Sequence, residues 1–306
     1  MNTKKLWLLF GGLIILSTIM LILLFRVPLQ FIFIAFLQGF TEWLPISSSG
    51  QVMIISTNFF GIAPENAFSL AIWLHLGTTL AVLLKFRGDF IGIVKSFVPK
   101  TFKISETDMR KRNWLIYATL GTAISALPLY FVFRIIISDI FAAFQGDLIT
   151  LIISGLLIIT GVILFKTTKV YGKNTLEEVP ETAIPKDSFI SGLVQGVSIL
   201  PGISRSGVTV SAILLKNYDQ DDALRLSFLM SVPVVIASII IDLIFGEGFG
   251  ILNLFIIISA TLTSFIVGYI TMEILLKIAQ KVQFGYFCVI YGIIAFTIII
   301  PFIIVS

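Results

Sequence analysis

The sequence predicts an all-α integral membrane protein, a multi-span helical bundle with inverted-topology repeats and two re-entrant helix-loop-helix hairpins. Three observations carry this prediction. First, 57% of the 306 residues are hydrophobic and only 12% charged, with a mean hydropathy of +1.05. Soluble domains hold about twice that share of charge. Second, one phrase occurs twice. Gln38 to Gly50 read QGFTEWLPISSSG, and Gln195 to Gly207 read QGVSILPGISRSG. Overlaid without a gap they share Gln-Gly, then Thr or Ser, then Ile-Ser-x-Ser-Gly. Third, both copies are rich in Gly, Pro and Ser yet lie in apolar sequence. Polar, non-helical backbone persists at membrane depth only where protein buries it or it lines a wet cavity. Paired breaks in two halves of a chain point to a site between inverted repeats.

The elements follow in order. Lys4 and Lys5 precede an apolar run at 6–25, and about twenty such residues cross a bilayer. The run exceeds a signal-peptide core, and no small-residue cleavage site follows it. Residues 1–27 are therefore read as a retained anchor helix, with a cleaved signal as the alternative. Residues 28–306 form one membrane domain, with repeat one at about 28–166 and repeat two at about 186–304. Spans are expected at 67–86, 113–136, 148–165, 223–245, 251–275 and 284–301. Pro128 and Pro233 fall inside two of them. The segments 29–60 and 186–216 are each interrupted by the duplicated phrase, so neither half spans alone, and each is read as an entering and returning hairpin.

Basic residues orient the layout, because cytoplasmic connections carry the excess of Lys and Arg. Lys4 and Lys5 set the N-terminus inside a plasma membrane. The first hairpin then opens to the outer face, and the loop 61–66 holds no base. The connection bearing Arg87, Lys95, Lys100, Lys103, Arg110, Lys111 and Arg112 falls inside, a site for lipid headgroups. The loop 138–146 falls outside without a base. The connection with Lys166, Lys169, Lys173 and Lys186 falls inside. The second hairpin opens inward, followed by Lys216 and Arg225. The loop 246–250 falls outside, and Lys277 and Lys281 fall inside. An odd number of spans separates the hairpins, so they enter from opposite faces with their tips meeting near the midplane. The net charge of +4 thus reports orientation, not nucleic-acid binding. A lone Cys288 excludes an internal disulfide and a thiolate zinc site.

The two tips share a scaffold and differ in chemistry. Glu42 aligns with Ile199, and Ser48 with Arg205. An intramembrane arginine is costly and marks function by default. Arg205 is either the ion-pair partner of Glu42 or a clamp for a phosphate-like anion, since guanidinium binds phosphate through paired hydrogen bonds. Gly202 and Gly207, beside Ser204, Ser206 and Thr209, let backbone N–H groups reach the same anion. Glu42 is Arg205's counter-ion, a general base, or a ligand to a hard divalent cation such as Mg²⁺ or Ca²⁺. Ser47, Ser48 and Ser49 are helix caps, or one of them is a nucleophile beside a carboxylate. His75 is a proton carrier or a packing residue. Asp242 is expected to be solvated at the outer interface, and Glu273 to pair with Lys277.

At these residues the chain resembles the undecaprenyl-diphosphate phosphatases of the bacitracin-resistance type. The first signature runs from Gln38 through Glu42 into Leu44-Pro45-Ile46-Ser47-Ser48-Ser49-Gly50. The second, Pro-Gly-x-Ser-Arg-Ser-Gly-x-Thr, stands at Pro201 to Thr209 without a mismatch. The stretches AIWLHLGTTLAVL from Ala71 and LSFLMSVPVV from Leu226 are also similar, and the likeness runs from about residue 29 to the C-terminus. The resemblance implies an enzyme that cuts the terminal phosphate from a polyprenyl diphosphate on the outer leaflet, with a divalent cation. The released monophosphate is the carrier for cell-wall and surface glycans. By motif position Glu42 is a catalytic carboxylate and metal ligand, Ser48 the nucleophile, and Arg205 the diphosphate-binding arginine. Gln38, Ser47, Ser49, Gln51, Gly202, Ser204, Ser206, Gly207 and Thr209 surround the substrate. The partners are the polyprenyl lipid and membrane lipids, with no nucleic acid, and a homodimer is compatible. Two positions depart from the family pattern: Gln38 replaces an acid, and Gln51 stands where the family has a histidine. Glu42 alone then serves as base, or His75 substitutes, or hydrolysis is slow or absent. The runner-up reading is a transporter or flippase for a lipid phosphate or similar anion on the same scaffold.

Overall fold

The computed structural model describes residues 3–98, 104–144, 147–167, 172–246, 253–279 and 284–305. Among them it is all-helical, with twelve helices. The first is α1 (Thr3–Leu24), over the expected anchor. The first interrupted segment forms α2 (Leu29–Thr41) and α3 (Ser48–Asn58). Next come α4 (Pro64–Lys85), α5 (Arg87–Ser96), α6 (Glu106–Phe144) and α7 (Asp147–Thr167). The second interrupted segment forms α8 (Ile184–Val197) and α9 (Arg205–Leu214). The chain ends in α10 (Gln220–Phe245), α11 (Leu254–Ala279) and α12 (Phe284–Val305).

Five helices among the described residues are long and apolar enough to cross a membrane: α4, the 106–136 part of α6, α7, α10 and α11. Their side chains give the physical reason. Mean hydropathy over the best window runs from 1.7 to 2.8, and large aliphatic residues such as Ile124, Ile159, Ile240 and Ile270 stay exposed on their outer faces. Pro128 and Pro233 lie inside α6 and α10, as expected.

The bundle is built from close helix pairs. α8 lies along α6, α12 along α7, and α2 and α4 along α11, while α10 crosses α4, α6 and α9. Glycines permit the approach. A Cβ on Gly39 would meet Ser264 O at 2.7 Å, and one on Gly77 or Gly192 would collide with the carbonyl of Thr261 or Ala118. Without a hydrophobic drive between helices in lipid, such small-residue contacts and buried polar bonds hold the pairs.

Three expectations change. The loop foreseen at 138–146 is helical to Phe144, because α6 runs for 39 residues, roughly 58 Å at the α-helical rise. The basic connection 87–112 contains α5, with Asp89 in its first turn and Lys95 in its last, the charges that suit the helix dipole. Asp242 is not interfacial. It is fully buried, accepting from Ser69 Oγ (2.8 Å), Trp73 Nε1 (3.2 Å) and Tyr130 OH (3.5 Å), so it ties α10 to α4 and α6. Glu273 does pair with Lys277 at 3.5 Å, and with Lys85 at 3.0 Å. Cys288 is buried, its Sγ donating to Pro45 O. Lys100, Lys103, Lys169, Lys281 and the loop stretch 247–250 lie outside the described residues.

Candidate active site

The two copies of the duplicated phrase fold into the same local device. Each first helix stops after the Gln-Gly pair, and each second helix starts at the aligned serine. Ser47 caps α3, accepting Gly50 N–H at 3.3 Å, and Ser204 caps α9, accepting Gly207 N–H at 3.3 Å. Ser48 and Arg205 are therefore the first residues of their helices, at matching positions. Capping Ser before a first turn satisfies N–H groups that no helix bond can reach. Trp43 pins the first break: it is buried, and its Nε1 donates to Gly268 O at 3.0 Å. Gly202 shapes the second break. Its φ of +108° suits glycine, and a Cβ there would meet Ile153 O at 2.7 Å.

The breaks meet. Gly202 N–H donates to Ser47 Oγ at 2.9 Å. Across this junction Glu42 becomes the hub. Its Oε2 accepts from Ser48 Oγ at 2.6 Å and Gln38 Nε2 at 2.7 Å, with His75 Nε2 at 3.3 Å. Its Oε1 accepts from Arg205 Nη2. The Glu42 side chain is 3% exposed, Arg205 16% and His75 18%, so carboxylate, guanidinium and imidazole meet with little water between them.

A cavity of about 80 Å³ opens over this cluster, several times the space one water needs. Glu42, Ser47, Ser48, Ser49, Ser204, Arg205 and Ser206 all line it. Arg205 Nη1 is buried without a hydrogen-bond partner, a spare charged donor at the wall. An orphaned buried donor calls for an explanation, and an anion in the cavity supplies one.

The remaining predicted residues stand behind that wall. Gln38 donates to Glu42. Gly202 and Gly207 supply N–H groups to Ser47 and Ser204. Thr209 Oγ1 donates to Arg205 O within α9. Gln51 is buried and turns its Nε2 to Ile46 O at 3.2 Å, closing the first break rather than facing the cavity.

His75 does line the cavity. Its Nδ1 sits 2.6 Å from Ala71 O, and a carbonyl only accepts, so Nδ1 carries a proton. Nε2 then meets the Glu42 carboxylate as a donor only when the ring is doubly protonated. Gln195 also lines the cavity, its Nε2 donating to Thr122 Oγ1 at 3.0 Å and to Met230 O at 3.3 Å. The signal for it was its place opposite Gln38 in the repeat. Thr122 had no sequence signal, being one hydroxyl within a spanning helix.

As a cation site the cluster is incomplete. Among the described residues no three of His, Cys, Asp and Glu gather. Glu42 is the one carboxylate lining the cavity among the described residues, and both its oxygens already accept protein donors. Divalent cations want several oxygen ligands, and Mg²⁺ commonly takes one or two carboxylates with the rest from substrate phosphates. These residues by themselves make no cage for one.

Comparison with known proteins adds a family. The family model described as "Bacitracin resistance protein BacA" matches residues 31–297. A protein of Methanothrix thermoacetophila named "Undecaprenyl-diphosphatase" is 39% identical over 266 residues, covering 87% of this chain and 94% of its own. One of the same name from Methanococcoides burtonii is 36% identical over 269 residues, covering 86% and 95%. A third, from Alkaliphilus metalliredigens, is 30% identical over 267 residues, covering 84% and 92%.

Proposed function

The chain belongs to the bacitracin resistance protein family, and from that membership and the geometry of its paired breaks we propose how it acts as an undecaprenyl-diphosphatase. The enzyme hydrolyses undecaprenyl diphosphate to the monophosphate and phosphate, returning the lipid carrier to use. It is a multi-pass membrane protein. The observation that carries the mechanism is the Glu42 hub, where Ser48 and Arg205 arrive from different breaks at one carboxylate.

In this reading the terminal phosphate enters the cavity against Arg205. Nη1 and the N–H groups at the starts of α3 and α9 take its oxygens, and these donors match the charge that gathers there as the bond to the leaving oxygen stretches. Ser48 Oγ attacks the terminal phosphorus. Its proton passes to Glu42, the Oγ–P bond forms, and the bridging P–O bond breaks to release the lipid monophosphate. Glu42 hands that proton to an oxygen of the departing lipid monophosphate. Water then attacks the phosphoserine, Glu42 takes a proton from it and returns it to Ser48 Oγ as the Oγ–P bond breaks, and inorganic phosphate leaves. When its ring is doubly protonated, His75 donates to Glu42 and holds the carboxylate towards Ser48. The divalent cation that the resemblance implies enters this scheme as the counter-ion of the diphosphate, and no step here depends on it.

The scaffold reading goes with this. The two helix–break–helix segments are re-entrant hairpins of inverted repeats, entering from opposite faces, with the N-terminus cytoplasmic and the first hairpin open to the outer face. The matching caps at Ser47 and Ser204 and the bond between the breaks support it. Each chain carries both breaks, so a homodimer leaves the site whole in each subunit. The transporter alternative has no observation of its own against the name shared by the relatives.

The test is direct. Purified protein in detergent is given undecaprenyl diphosphate, with Mg²⁺, with Ca²⁺ or with EDTA, and released phosphate is measured. Phosphate release by the wild type, lost in Arg205→Ala, is the expected result, and the EDTA arm reads any need for a cation separately. Binding of the lipid without any release rejects the hydrolase reading.

A further inference from the structure

α5 does not follow the pattern of a helix that faces water. It has ten residues, about 15 Å at the α-helical rise, roughly half the thickness of a bilayer core. Asp89, Ile93 and Ser96 are buried on one face. Asp89 receives Lys111 Nζ at 2.6 Å and Arg225 Nη2 at 2.7 Å, and Arg112 Nη1 donates to Ser96 O at 2.8 Å. These bonds fix that face to the start of α6 and to α10. The opposite face carries Ile91 and Val94 at helical spacing, continued by Val98 just past the helix end. All three are exposed, Val94 at 65%. A surface helix in water is polar on its outer side. Here the side turned away from the protein is aliphatic.

The position of α5 along the bundle says what covers that side. α4, one of the apolar spans, ends at Lys85, and Phe86 alone separates it from Arg87 at the start of α5. Lys85 pairs with Glu273, and Glu273 with Lys277, through exposed side chains. This trio marks the level where apolar span gives way to water. α5 starts at that level, so its stripe lies where acyl chains meet headgroups. The charges on that side are basic. Arg87 and Lys95 are exposed beside the stripe, and Arg112 stands over the Phe97 ring at its far end, 5.9 Å from the centroid. Asp89, the acid of α5, is spent on the buried face, and Asp108 packs at Gly92 on the flank between the two faces. Long basic side chains beside an apolar stripe reach headgroup phosphates while their stems stay in the apolar layer.

We propose that α5 is an interfacial helix that binds anionic phospholipids of the leaflet where α4 ends. Ile91, Val94 and Val98 enter the acyl boundary, and Arg87, Lys95 and Arg112 hold headgroup phosphates. An apolar stripe with bases beside it is the pattern of helices that lie in the interface, and each base near the surface favours anionic over zwitterionic lipid. A second copy of the chain would cover the stripe as well. In a two-fold contact centred on α5, however, Arg87 and Lys95 would face their own counterparts, like charge against like. The bases of α5 belong to neither break, so this surface stands whether or not the chain hydrolyses its substrate.

Fluorescence quenching tests it. The full chain carries a bimane dye on Val94→Cys, and the wild type treated in the same way reports any labelling of the buried Cys288. Both are placed in vesicles of equal phosphatidylcholine and phosphatidylglycerol, with one or the other lipid brominated on its acyl chains. Iodide is the quencher in water. Brominated lipid quenches the dye and iodide does not, and brominated phosphatidylglycerol quenches roughly twofold or more strongly than brominated phosphatidylcholine. Arg87→Gln with Lys95→Gln removes that excess and keeps the quenching by lipid. Quenching by iodide alone puts the face in water and overturns the proposal. Quenching by neither puts protein over it, a second copy included, and overturns it too. So does equal quenching by the two lipids in the otherwise unaltered chain. Ile91→Cys, one turn away on the same stripe, repeats the reading, so a local disturbance at one position does not decide the outcome.

Discussion

The hydroxyl of Ser47 accepts the backbone N–H of Gly202 at 2.9 Å while also capping its own helix at Gly50. One side chain therefore fixes the start of α3 and bonds the first break to the second. Its aligned partner Ser204 caps α9 and, among the described residues, bonds Thr160 and Ser206 rather than the first break. Ser47→Ala should cost about 2 kcal/mol, a cap and a buried bond together, and Ser204→Ala about 1 kcal/mol. Thermal unfolding in detergent checks the order: the Ser47 variant melts lower. Equal midpoints would remove the cross-link from the account.

In the proposed mechanism Glu42 has two roles, base and counter-ion, that one pair of variants separates. Glu42→Gln removes the base and leaves the Arg205 guanidinium buried without its counter-ion. Phosphate release should fall about 10²–10⁴-fold, and stability by about 3–5 kcal/mol. Adding Arg205→Gln should restore much of the stability and none of the activity. Recovery of activity in the double variant would show that the ion pair, not the base, sets the rate.

His75 and Gln51 should behave oppositely. His75 touches the Glu42 carboxylate and lines the cavity, whereas Gln51 is spent on Ile46 O. His75→Ala should lower kcat about 10²-fold, and Gln51→Ala should lower the melting midpoint with kcat within about fivefold of wild type. Gln51→His should give no gain. A large gain there would return the histidine role to position 51.

A distant ion cluster supplies a control. Asp89 is buried and bonded by Lys111 Nζ at 2.6 Å and Arg225 Nη2 at 2.7 Å, tying α5 to α6 and α10. Asp89→Asn leaves the buried Lys111 ammonium unpaired and should cost about 3–5 kcal/mol. The protein that remains folded should keep the wild-type KM for prenyl diphosphate. A changed KM would couple this end of the bundle to the site.

The parts of this architecture legible in the sequence are those written locally. A serine cap and a twenty-residue apolar run each state their structure locally, so the cap at Ser47 and the spans over α4, α6, α7, α10 and α11 were readable. Ser204 and Gly202, by contrast, were read for anion contact and prove to be a cap and a positive-φ turn. Matching the two copies also separated Glu42 and Ser48 from Arg205. What the sequence hid depends on contacts across the fold. Asp242 looks interfacial by position, yet Ser69, Trp73 and Tyr130 reach it from two other helices. His75 lies 33 positions from Glu42, and no spacing rule aims its ring. Gln51 sits beside the serines in sequence, but the turn at Ile46 draws its amide backwards.

In the proposed mechanism the two breaks form one hydrolytic site, with Ser48 as nucleophile, Glu42 as base and Arg205 as anion clamp. The most direct measurement is the initial rate of phosphate release from undecaprenyl diphosphate by wild type and by Ser48→Ala, Glu42→Gln and Arg205→Ala, each confirmed as folded. Turnover by the wild type and losses of about 10²-fold or more in all three variants are expected. Ser48→Ala and Glu42→Gln within about twofold of wild type would contradict it.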